Sequence, residues 1–199
     1  MAMKTKKQLK DVFGGIASMW YQSAELDLTS LSGITITPEY DVPVKVDTIE
    51  LEQGDPSIEH YKVIGLPGDW ITSSEAGDID LSFRVPTKHS DILKLAYGED
   101  AVKAITGATV NTTDEAGGAV TYNGTALTLV DRKIDGTFIL VNQSKDKLLV
   151  LANTSLWAKP VIDSDAKGVF ALDFNGTIES DGTTPDILFL EKVTTGSNG

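Results

Sequence analysis

The sequence predicts a mainly β fold, a β-sandwich or partly closed barrel with one flanking α-helix. Three observations predict it. The apolar residues, 41% of the chain, are largely β-branched or aromatic, the types that suit a pleated, half-buried surface. Eighteen glycines punctuate them every few positions, as strands joined by turns require. Only one segment, 87–98, places apolar residues at helical spacing between a start and a stop signal. A chain of 199 residues buries about 70% of its unfolded surface when it folds as one unit, so one domain is expected. The organisation reads as a basic flexible arm over 1–15, a β-rich domain over 16–193 and a disordered tail over 194–199.

Taken in order, 16–28 reads as a first strand region, and 31–37 alternates in the manner of a half-buried strand until Pro38 ends it. Val42, Val44 and Val46 recur at period 2, and Ile49 and Leu51 extend the pattern into one long strand with Pro43 near its start. Gly54, Asp55 and Pro56 supply a turn, 58–64 a short strand, and 65–77 a loop carrying Trp70. The segment 78–86 alternates cleanly, with Ile79, Leu81, Phe83 and Val85 on one face and Asp80, Ser82 and Arg84 on the other. The helix follows, with Thr87 or Ser90 as N-cap, Asp91 in the first turn, Ile92, Leu93, Leu95 and Ala96 on the buried face and Gly98 as the stop. A further turn is expected within 99–105, and a long exposed loop or hairpin over 106–124. Strands are then predicted at 126–130, 137–141, 148–152, 169–178 and 187–193, with Asp181-Gly182 as the hairpin turn before the last.

The residues offer little chemistry. There is no cysteine, which removes disulfides, thiolate metal sites and a lipid-anchored cysteine. His60 and His89 lack ligand spacing, and His89, Ser90 and Asp91 are consecutive, so they cannot face one another as a nucleophile, base and orienting acid must. Asp163, Ser164 and Asp165 open like a calcium loop, but Lys167 holds the fifth position and Phe174 the twelfth, so this reads as a turn. Asp78 and Asp80 share a strand face, an arrangement expected by chance among 29 acidic residues. No nucleophile elbow, phosphate loop or dinucleotide fingerprint occurs. Five glycosylation sequons, at Asn111, Asn123, Asn142, Asn153 and Asn175, reflect turn-rich β composition. The chain is therefore read as not an enzyme, with no catalytic residue, cofactor or metal assigned.

Net charge is −12, and Lys4, Lys6, Lys7 and Lys10 bring +4, so the rest of the chain carries −16. Such a body repels phosphate backbones and fits a surface that a polyanion passes without sticking. The lysines precede the apolar stretch 12–21, but Asp11, Gly14-Gly15 and the want of leucine make that a poor signal peptide, and cytosolic synthesis is expected. No apolar run approaches the ~20 residues of a membrane span.

The order of pieces carries a resemblance. The stretch 58–98, with Gly68-Asp69-Trp70, Gly77-Asp78-Ile79 and Val85-Pro86-Thr87 followed by the helix to Tyr97-Gly98, resembles the major tail tube proteins of long-tailed, siphovirus-like bacteriophages. The stretch 168–190, with Phe170, Phe174 and Asp181-Gly182, is similar to their C-terminal hairpin. The resemblance implies a structural subunit whose six copies join inner sheets into a ring. Rings then stack into a hollow tube with an acidic lumen through which DNA passes without specific binding. It implies partners in other copies of the chain and other tail proteins, no membrane, synthesis in the host cytoplasm and a place in the virion tail. It also implies that an arm and a long loop reach the next ring, which selects Lys4, Lys6 and Lys7 for charge pairing and Trp70 for packing on a neighbour. Two alternatives stand beside it. One is a surface or secreted β-sandwich binding module, carbohydrate-binding or adhesin-like, with Trp20, Tyr21, Trp70 or Trp157 as stacking platform. The other is a glycosidase or esterase, for which no convergent polar cluster is visible.

Overall fold

The computed structural model describes residues 11–64, 67–69, 71–111, 118–164 and 167–193. Its strands are β1 (Ile16–Gln22), β2 (Tyr40–Val42), β3 (Glu50–Gln53), β4 (Ser57–Tyr61), β5 (Ile71–Glu75), β6 (Ile79–Val85), β7 (Val102–Asn111), β8 (Ala119–Leu127), β9 (Ile134–Asn142), β10 (Lys147–Asp163), β11 (Val169–Ile178) and β12 (Ile187–Glu191). One helix, α1 (Ser90–Tyr97), lies between β6 and β7. The fold is mainly β with one flanking helix, consistent with a β-sandwich.

The main sheet runs β2-β1-β9-β10-β11-β6-β3, and β12 also pairs with β10. Each of these pairings is antiparallel. The sheet folds over on itself. Phe83 on β6 and Phe138 on β9 are separated by two intervening strands in the sheet order, yet their rings lie 5.3 Å apart. Tyr21 flanks Phe138 at 5.0 Å, and Phe174 stacks on Phe83 at 5.0 Å, so four strands meet in one aromatic cluster. Leu81, Val85, Leu140, Leu151, Leu156 and Leu172 surround it, and Ile92, Leu93, Leu95, Ala96 and Tyr97 of α1 cover its flank. This is the inward set that alternation assigns to β6 and periodicity assigns to α1.

The helix cap falls between the two read from the sequence. His89 is the N-cap, its side chain accepting the Asp91 N–H, while Thr87 Oγ1 accepts the His89 N–H. Gly98, at φ 96°, ends it as expected, and Arg132 Nη1 donates to the carbonyls of Lys94 and Leu95. The extra turn falls at Glu99–Ala101.

Several expected strands are corrected. Residues 31–37 alternate, with Ile34 and Ile36 turned inward, but have no ladder. They lie over the outer face of β1, β9, β10 and β12, closing a second cluster with Leu26, Leu28, Ile139, Val150 and Ala152. Gln22 holds both ends of this excursion, donating to Ala24 O and accepting from Thr37 N. The long strand over 42–51 is broken into β2, a 3-10 turn at Val46–Thr48 and β3, because Pro43 has no N–H to give a ladder and Lys45 turns its N–H to Arg84 O. This segment joins the two ends of the sheet path, β2 and β3, which brings a sandwich close to a barrel. The strand expected at 126–130 is the end of β8 followed by irregular chain. Asp181-Gly182 is no hairpin turn, since β11 and β12 do not pair with each other. Both lie along the same side of β10, Ile178 opposite Thr154 and Ile187 opposite Leu151, with 179–186 looped out between them. β10 accommodates this with an irregularity around Asn153, at φ 51°.

Residues 11–15, placed in the arm by sequence, are tied to the body. Asp11 pairs with Lys147, Phe13 packs on the core, and Gly15 O accepts from Gln143 N. The rest of the arm and the tail at 194–199 lie outside the described residues.

Candidate assembly surface

Two hairpins stand apart from the main sheet, each a sheet of two strands only: β4 with β5, and β7 with β8. The loop expected over 65–77 therefore contains the return strand β5, hidden in the sequence because Ile71 is the only large apolar residue in Ile71–Glu75. The hairpin expected over 106–124 is present and longer, since it begins at Val102. A lone two-stranded ribbon is marginally stable in water, so what its faces carry matters.

The β7–β8 ribbon is amphipathic. In its outer part Ala108 opposes Tyr122 and Val110 opposes Val120, and strand alternation puts all four on one face. Thr109, Thr121, Asn111 and Ala119 take the other. Val110, Val120 and Tyr122 are 48%, 42% and 51% exposed, so about half of this apolar face stays open among the described residues. A bulge at Gly107, φ 73°, whose N–H donates to Asn123 Oδ1, bends the ribbon between its base and this face.

Apart from Ile58 near the neck, the β4–β5 hairpin carries its large apolar residues toward the tip. Tyr61 opposes Ile71, and Val63 and Ile64 follow, all exposed. His60 Nδ1 lies 2.7 Å from Asp69 Oδ2, tying the tip loop to the strand. At the neck, a Cβ on Gly77 would stand 2.1 Å from Gly54 O and 2.9 Å from Asp55 O, so the two strands enter the hairpin with their backbones touching. Gly54 N donates to Asp78 O just below. Trp70, assigned to packing on a neighbour, falls in this loop but outside the described residues, as do Lys4, Lys6 and Lys7.

Of the aromatic platform proposed for a binding module, Trp20, Tyr21 and Trp157 are among the described residues, and they differ in burial. Tyr21 is buried, donating its hydroxyl to Asp135 O, and burial, reinforced by Glu39, pushes its pKa up to about 12. Trp20 is half-buried in the second cluster. Among the three described, Trp157 alone is exposed, on the outer face of β10 beside Asn175.

Sequence reasoning missed a buried ionic clasp. Asp163, read as part of a turn, has its carboxylate almost wholly buried, 3.3 Å from Lys45 Nζ and 3.2 Å from Arg84 Nη1. Arg84 also grips Asp173 with two hydrogen bonds of 2.6 and 3.0 Å. Asp173 first, then Asp163, hold the guanidinium well above its ordinary pKa. The clasp fastens the segment between β2 and β3 to β6, β10 and β11, each cation paired with a carboxylate. His89, Ser90 and Asp91 form a helix cap, with Ser90 Oγ 3.5 Å from Asp91 and not bonded to the imidazole. No group of three His, Asp or Glu side chains among the described residues is placed to hold a metal ion.

The chain matches no protein-family model and no curated protein. Its surfaces must speak for it. They consist of a ribbon with one half-open apolar face, a hairpin with an apolar tip, and an acidic body.

Proposed function

We propose that this protein is a structural subunit that assembles with copies of itself, six to a ring, into a stacked hollow tube of the phage-tail kind through which DNA passes. The observation that carries the reading is the half-open apolar face of the β7–β8 ribbon. A monomer gains nothing by extending an amphipathic ribbon into water with its apolar side half uncovered. Against the body of a neighbouring copy the same face becomes part of a core. The β4–β5 tip supports a second contact in a different direction, as rings that also stack require. Two distinct, non-self-complementary contacts generate closed rings and then open filaments. A body charge of −16 beyond the first ten residues suits a conduit for a polyanion.

Negative-stain electron microscopy of the purified protein over a range of concentrations tests this. Rings or hollow tubes of uniform width are expected. Species no larger than a dimer up to the solubility limit would refute it. The exposed Trp157 favours the carbohydrate-binding reading as a second one, and glycan-array binding lost in Trp157→Ala is its test.

A further inference from the structure

β12 has the sequence of an interior strand and the position of an edge. Ile187-Leu188-Phe189-Leu190 is an unbroken apolar run, the pattern of a strand covered on both faces and paired on both sides. Leu188 and Leu190 pack on the second cluster and Ile187 on the main core, yet β12 pairs only with β10. Its other side is open among the described residues. Ala152 N donates to Asp186 O and Lys192 N to Asp146 O, so even-numbered residues turn their backbone groups toward β10. Ile187, Phe189 and Glu191 turn theirs away, and among the described residues these groups have no backbone partner.

Other edges of the main sheet are guarded. β3 carries Glu50 and Glu52, and β2 is three residues long and runs into Pro43. In the outer half of β10, Asn153 O and Asp163 O accept bonds at β11, which turns the even-numbered residues outward and puts Pro160, with no N–H, on the free side. β12 has no such device within its apolar run.

We propose that the free edge of β12 pairs with the β12 of a second copy of this chain, antiparallel across a two-fold axis at Phe189. The strand is its own complement in that register. Phe189 meets Phe189, Leu188 meets Leu190, and Ile187 meets Glu191, so every outward N–H and C=O finds its counterpart. Asp186 falls opposite Lys192 at both ends, which sets opposite charges against each other. A strand offset by one residue would lose both the charge match and the pairing of outward groups. This contact is isologous and closes at two copies, so it is separate from the head-to-tail contacts of the tube reading and stands whether or not that reading does. Within a tube of one polarity it has no place, which makes the pair a form of the free subunit that dissociates before growth.

Sedimentation velocity from roughly 1 μM to 1 mM, with far-UV circular dichroism, tests it. The wild type is expected to move from 21.3 kDa to twice that mass. Phe189→Asp, which sets two carboxylates against each other on the axis, and Phe189→Pro, which removes an outward N–H the β10 ladder does not use, are expected to stay monomeric with unchanged dichroism. Asp186→Lys is expected to raise the dissociation constant about tenfold, and adding Lys192→Asp to restore it. A wild type that stays monomeric throughout, or folded Phe189→Asp and Phe189→Pro variants that both remain dimers, would overturn the proposal. Failure of the tube reading is seen separately, as dimers with no rings or tubes.

Discussion

Replacing the apolar face of the β7–β8 ribbon with threonine, as Val110→Thr, Val120→Thr and Tyr122→Thr together, separates assembly from folding. The three side chains are already about half covered within the monomer, at 48%, 42% and 51% exposure. Full burial of such a side chain is worth about 1.5–3 kcal/mol, so burying the remaining half on a neighbour contributes about 1 kcal/mol each. Losing three such contributions removes about 3 kcal/mol per interface, which raises the concentration needed for assembly about 100-fold. Threonine keeps strand propensity, and exposed substitutions cost the fold only about 0.5 kcal/mol either way. The assay is the critical concentration for ring or tube formation, read by light scattering and microscopy, beside the urea midpoint. Assembly at an unchanged concentration would refute the role given to this face. Loss of the folded state would refute the claim that the ribbon's apolar side is free in the monomer.

Phe138→Ala should lower stability by about 3–5 kcal/mol in denaturant titration, since the ring is fully buried between Tyr21 and Phe83 and its loss leaves a cavity. Gly77→Ala should open the neck of the β4–β5 hairpin, because the new Cβ meets backbone that cannot move aside cheaply. Hydrogen exchange in 57–75 should quicken while the thermal midpoint of the body changes little. Asp181, with its pKa lowered to about 2 by backbone N–H groups of Thr184 and Thr183, favours the folded state above the ordinary carboxylate value of 3.8. That contribution is lost as pH falls from 3.8 through about 2. Asp181→Asn keeps the acceptor but cannot titrate, so its stability should depend less steeply on pH in that window.

Where local pattern and tertiary demand agree, the sequence is a sufficient guide. β6 has polar residues on every second position and a turn at each end, and β11 occupies the expected 169–178. α1 is bounded by Gly98 and by a cap within a residue or two of those expected. Elsewhere the pattern is real and the partner is missing. Residues 31–37 bury Ile34 and Ile36 by period 2 but lie across strand faces, and periodicity says which side is apolar, not whether a backbone lies alongside. The second half of β10 escaped notice because Asn153, Lys159 and Pro160 interrupt any apolar count, although β11 pairs with it along its whole length. The ribbon was legible as a hairpin. Its amphipathic face was not, because the Gly107 bulge shifts the register between base and outer part and scrambles a simple alternation. The clasp sets Asp163 against Lys45, 118 positions away, and is invisible to any local reading.

The strand order also dictates when the protein can exist at all. β1 and β2 form one pair and β3 and β6 another, and nothing encoded before residue 134 joins them within the sheet. The bridge is β9, β10 and β11, all in the last third of the chain. On a ribosome the first two-thirds must therefore emerge as two unsupported strand pairs with the inner faces of Met19, Tyr21, Phe83 and Val85 exposed, and the sheet can complete only near the end of synthesis. The β7–β8 hairpin leaves the ribosome before the body that is to carry it has formed. On the assembly reading proposed above, contact with other copies would then wait on the last strands, and a truncated chain would have no folded body from which to present the ribbon.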